Sequence, residues 1–167
     1  MTIFTIGYEG SDIDQFVETL QKNKMKCLID VRKNPVSRKK GFSKSKLAQA
    51  LAAEGIEYLH YGDLGVPSAW RKEAKAEIIT REKMFKKYAK EILPIHQDKI
   101  DEIIRIAKKR RSVLLCYEHN ALDCHRHYLT ERIKKQIKVK IVDLEVEDFS
   151  QGPRLYRPRT TANRTLS

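Results

Sequence analysis

The sequence predicts an α/β protein built on a mainly parallel sheet of about five strands with helices on both faces. Three observations carry this expectation. Short apolar runs of strand length alternate with stretches whose apolar residues recur at helical spacing. One run, Cys27-Leu28-Ile29-Asp30-Val31, is apolar enough to be covered on both sides, as strands of parallel sheets are. The 167 residues also suffice for one domain that buries roughly 70% of its unfolded surface without a disulfide or metal.

Taken in order, Ile3 to Ile6 reads as the first strand, broken by Gly7-Tyr8-Glu9-Gly10. Ser11 with Asp14 resembles a capping box, and Ile13, Phe16, Val17 and Leu20 then share one helical face. The second strand is Cys27 to Val31, and Asn34-Pro35 stops regular structure. Ser43 suits the cap of a helix whose apolar face is Leu47, Ala50 and Leu51, with Gly55 at its end. Ile56 to His60 is the third strand, and Gly62 to Pro67 is turn-rich. Residues 71–93 read as one or two helices, ended by Pro94, with a further helix over 96–109. Val113 to Tyr117 is the fourth strand, 124–137 a helix and Val139 to Val142 the last strand. Residues 1–148 are thus expected to form one domain. Residues 149–167, with two prolines and no apolar period, read as a basic tail.

Composition narrows the function classes. No apolar run approaches the ~18 residues of a membrane span, and the N-terminus lacks the pattern of a signal peptide. Three cysteines, Cys27, Cys116 and Cys124, cannot all pair within one chain, which suits free thiols in a reducing, cytoplasmic setting. The chain carries 34 Lys and Arg against 22 Asp and Glu, a formal charge of +12. The excess is clustered: Val31 to Lys46 holds Arg32, Lys33, Arg38, Lys39, Lys40, Lys44 and Lys46 and no acid. Such clusters suit a polyanion, a nucleic acid or a nucleotide-like anion, with Arg38, Lys39 and Lys40 as contacts. They equally suit simple solvation.

In parallel sheets the working site lies beyond the carboxyl ends of the strands. Tyr8 and Glu9 follow the first strand there, and Asp30, Arg32 and Lys33 follow the second. His60 ends the third, and Glu118, His119, Cys124, His125 and Arg126 follow the fourth. Cys124 opens a helix, where free N–H groups and the macrodipole favour a thiolate, with Arg126 and His125 adding positive charge. It is therefore the expected reactive thiol. Glu118 and Asp30 would transfer protons or orient the basic groups. Arg32, Lys33, Arg126, His125, Tyr8, Glu9 and His60 would receive an anionic substrate. A metal held by Cys116, Cys124, His125 and one of His119 or His127 is the weaker alternative. The Cys-x7-Cys-His spacing matches none of the common structural zinc patterns, so no metal ligand and no cofactor is assigned.

Thr5-Ile6-Gly7-Tyr8-Glu9-Gly10, Leu28 to Arg32 with Pro35 and Ser37, and Tyr58 to Gly65 make up one half of a composite pattern. Leu115 to Glu118 and Cys124-His125-Arg126 complete it, and the whole resembles the family called domain of unknown function 488. The resemblance implies an α/β fold and a site at these motifs. Leu28 to Arg32 is also similar to the opening strand of many rhodanese domains. The Cys-x5-Arg loop of that chemistry is missing, since Leu122 and Thr130 stand six residues after Cys116 and Cys124. The expectation is an enzyme acting on a phosphorylated or nucleic-acid substrate through Cys124. The alternative is a non-catalytic nucleic-acid-binding module with a structural or metal-binding Cys/His loop.

Overall fold

Strands covered on both faces must send alternate side chains into two separate cores, and these sequences do so. The computed structural model describes residues 1–148. Its sheet contains β1 (Thr2–Gly7), β2 (Cys27–Asp30), β3 (Glu57–His60), β4 (Ser112–Cys116) and β5 (Lys140–Leu144). All neighbours pair parallel, in the order β3-β2-β4-β1-β5. Phe4, Ile6, Leu28, Val113 and Leu115 pack on one face with Phe16, Leu20, Leu47 and Leu51. Ile3, Ile29 and Leu114 pack on the other with Tyr88, Ile100, Ile103, Leu129 and Ile133. Each fully buried side chain of this size contributes about 1.5–3 kcal/mol of transfer free energy.

The first face is covered by α1 (Ile13–Lys22) and α2 (Lys44–Ala52). The second is covered by α4 (Arg81–Glu91), α5 (Gln97–Lys109) and α6 (His125–Gln136), with α3 (Ser68–Lys75) packed on α4. The α/β fold with a parallel sheet and helices on both faces is therefore the one the sequence predicts. The stretch 71–93 divides in two because Glu77 takes a left-handed φ of 59° and Thr80 caps a new helix, accepting from Lys83 N at 3.1 Å. The cap of α1 is Asp12, not Ser11. Asp12 accepts from Gln15 N at 2.8 Å, while Ser11 Oγ donates to Tyr8 O at 2.8 Å and closes the turn after β1. The expected tail, 149–167, lies outside the described residues. Among the described residues no helix is long and apolar enough to cross a membrane.

This topology sets the site. β4 lies between β1 and β2, whose following helices cover one face, while the helix after β4 covers the other. Connections that leave neighbouring strands toward opposite faces open a crevice at their carboxyl ends. The loop after β4 sits at that crevice.

Candidate functional site

β4 ends on Cys116, and the chain then makes a short turn at Ala121–Asp123 before entering α6. Asn120 fixes that turn by accepting from Leu122 N at 3.1 Å. The turn brings Cys124, the N-cap of α6, back beside Cys116. One ligand atom each from Cys116, Glu118, Cys124 and His125 lies within 4.8 Å of the other three. Cys116 Sγ donates to Glu118 Oε2 at 3.1 Å and lies 3.4 Å from His125 Nδ1, with Cys124 Sγ 3.9 Å from that same nitrogen. The two thiols and the imidazole are buried, at 5%, 0% and 5% exposure, whereas Glu118 is only partly covered.

The protonation of His125 follows from its partner. Nε2 lies 2.9 Å from the carbonyl of Val31. A carbonyl only accepts, so Nε2 carries a proton, and Nδ1 is the nitrogen turned toward the thiols. An imidazole anchored in this way through its second nitrogen is the usual arrangement of a metal-ligating histidine.

Burial overturns one expectation about Cys124. The helix N-terminus was expected to depress its thiol pKa. Instead, loss of water raises it well above the ordinary value and the neighbouring Cys116 adds to this, with His125 opposing. Full burial removes more hydration from a thiolate than one helix end returns. Burial disfavours charge on His125 too, but Cys124, the Val31 carbonyl and Glu118 outweigh it and raise its pKa. For Glu118, burial pushes the carboxyl up, yet the Cys116 hydrogen bond, its own backbone N–H and His125 leave it lowered. Cys27, far along the core, is a plain buried thiol, raised to about 11 chiefly by burial.

The basic residues expected to receive an anion are instead largely committed to the protein. Arg126 is 1% exposed. It donates to the carbonyls of Glu118 (2.6 Å) and His119 (3.2 Å), to Thr5 Oγ1 (3.2 Å) and to Cys124 Sγ (3.6 Å). Glu9 accepts from His119 N at 2.9 Å on the other side of the loop. Arg32 forks onto Asp30, with Nε to Oδ1 at 2.9 Å and Nη2 to Oδ2 at 2.7 Å, and also donates to Tyr8 Oη and Phe42 O. Asp30, with no exposed surface, also accepts from Tyr58 Oη and is the buried partner of Arg32. Tyr8 stacks on Phe42 at 4.5 Å, and His60 Nε2 donates to Arg32 O at 2.9 Å. Lys33 is exposed, as are Arg38 and Lys40, with Lys39 half-covered. Tyr8, Arg32, His60 and His125 lie at or just after the ends of β1, β2, β3 and β4, where Tyr8 and His60 bond to Arg32 and His125 bonds to Val31 O.

Residues 12–133 match the family model described as Domain of unknown function DUF488. The chain belongs to that family. No curated protein and no solved structure matches it. The matched part of the DUF488 chain includes all four clustered residues, whereas Tyr8 and Glu9 precede it.

Two contributors to this DUF488 site carry little sequence signal. Cys116 lies inside an apolar strand pattern, and the sequence brings it in only through the weaker metal alternative; its place as the last residue of β4 sets it at the site. Arg81 opens α4, far along the chain, and its guanidinium holds Asp123 Oδ1 and O at 3.0 Å each and Glu118 Oε1 at 3.5 Å. His119 and His127, weighed as ligands, are not in the cluster. Gly7 is required for close approach: a Cβ there would lie 1.8 Å from Glu118 O. Gly7→Ala is expected to push the 118–119 peptide off Arg126 and to cost about 1–3 kcal/mol, as overpacking does. Chemical denaturation would read the loss, and unchanged stability would remove this role of the glycine.

Proposed function

We propose that the protein binds one divalent transition-metal ion, zinc by chemistry, through Cys116, Glu118, Cys124 and His125. The observation that supports this best is the buried His125, whose Nε2–H is spent on Val31 O while Nδ1 faces two thiols within 3.9 Å. Two sulfurs, one imidazole nitrogen and one carboxylate make a soft, four-donor set that suits zinc and disfavours magnesium or calcium. Charge agrees. Two thiolates and a carboxylate bring three negative charges, which a divalent ion and the Arg126 guanidinium, 3.6 Å from Cys124 Sγ, would cancel. A bound cation deprotonates coordinating thiols outright, which answers the cost that burial sets on a free thiolate. Cys124 is then a ligand, not a free nucleophile. The centre's place at the carboxyl edge supports a reactive role.

Metal analysis of protein purified without chelators tests this. About one equivalent of zinc is expected in the wild type and less than a tenth in Cys124→Ser and His125→Ala. Wild-type protein that stays zinc-free after incubation with zinc would defeat the proposal.

A nucleic-acid partner is a second reading, supported by the exposed cations of the loop after β2, Lys33, Arg38 and Lys40, and of the first turn of α2, Lys44 and Lys46. Binding to oligonucleotides is expected to be sequence-tolerant and salt-dependent. Reversing charge at Arg38, Lys39 and Lys40 should flatten the slope of log K against log salt by up to about 3. An unchanged slope in that triple variant would count against this surface.

A further inference from the structure

Resting on the metal reading, we propose that Glu118 is the exchangeable ligand of the centre and that a small-molecule carboxylate takes its position, paired with Arg81. The four donors are unequal. Cys116, Cys124 and His125 are buried and set by a strand end, a helix cap and a carbonyl anchor. Glu118 alone reaches solvent, its side chain 25% exposed. Solvent therefore meets the centre on the Glu118 side. Zinc sites that work on substrates keep three firm protein ligands and yield the fourth position.

Glu118 is also able to leave without moving the loop. Its own carbonyl is held by Arg126 at 2.6 Å, so only side-chain torsions need change. Arg81 stays when the side chain swings away, because Asp123 holds it through both its carboxylate and its carbonyl at 3.0 Å. Its contact to Glu118, at 3.5 Å, is the loosest of the three. The vacated position thus offers a metal coordination site with a half-exposed guanidinium beside it. That pairing matches a carboxylate, the group Glu118 itself places there, with one oxygen toward the metal and one toward the arginine.

The test uses the full chain loaded with cobalt(II), whose visible spectrum reports its ligands, and acetate as probe. Wild type is expected to show a saturable spectral change with acetate. Glu118→Ala should keep one cobalt, show an altered spectrum, and bind acetate about tenfold more tightly for want of an internal competitor. Arg81→Ala should keep the metal and bind acetate about tenfold more weakly, the effect of losing one charge-assisted hydrogen bond. If Glu118→Ala loses cobalt as fully as Cys124→Ser, Glu118 is a fixed ligand and the proposal fails. It fails equally if acetate leaves the spectra of both wild type and Glu118→Ala unchanged. Wild-type protein that takes up no cobalt defeats the metal reading itself, a separate result.

Discussion

Stripping the metal is expected to lower the melting temperature by about 10 °C, and zinc is expected to restore it. An ion that binds only the folded chain stabilises it by about 4 kcal/mol when present at 1,000 times its dissociation constant. For a chain of this size each kcal/mol shifts the melting temperature by about 2–4 °C. Without the ion, two buried thiols, the imidazole and the Glu118 carboxylate remain within 4.8 Å of one another. Charge on His125, which the thiol of Cys124 and the Val31 carbonyl favour, and the ionised Glu118 partly compensate, so the metal-free chain should still fold. The zinc-dependent shift should vanish in Cys116→Ser and persist in Cys27→Ala. The latter loses packing but has its sulfur in the core, away from the cluster. Scanning calorimetry on stripped and reloaded protein reads all of these. Equal melting temperatures for the two forms of the wild type would leave no role for a bound ion in stability.

What the sequence reveals and hides here follows from the range of each interaction. Strand and helix identities depend on periodicity over a few residues, and runs such as Leu28-Ile29 and the Ile100, Ile103, Ile104 stripe carried them through to the structure. The carboxyl-edge rule then pointed to the loop after β4, where Glu118, Cys124 and His125 lie close together. The character of the groups did not follow, because charge and acidity depend on burial. Arg32 and Arg126 read as cations awaiting an anion, yet at 6% and 1% exposure their partners are Asp30 and main-chain carbonyls. Cys124 reads as an activated thiol from its helix position, and only its complete burial reverses the sign. The approach of Arg81 on α4 to Glu118 and Asp123 arises from helix packing and leaves no local trace.

Arg32→Met is expected to destabilise the protein by about 3–5 kcal/mol, because it leaves a fully buried Asp30 carboxylate without its cation. Asp30 has no exposed surface and receives Arg32 through Nε, Nη2 and the backbone N–H, with Tyr58 Oη as a further donor. Asp30→Ala should cost a similar amount for the opposite reason, stranding the guanidinium. Replacing both partners, as Asp30→Asn with Arg32→Met, should recover much of the loss, since no buried charge is then left unpaired. The effect should reach the thiol cluster. Val31 O, one residue from Arg32, anchors His125, and Arg32 O anchors His60. A shift of that backbone frees the His125 ring, and zinc affinity should fall about 10- to 100-fold, as it does when an outer partner of a ligand is removed. Urea denaturation together with zinc competition against a chelator separates the two consequences. Arg32→Met protein within about 1 kcal/mol of wild type would mean that burying Asp30 without Arg32 costs little. The ion pair would then not be what holds the β2 end under the site.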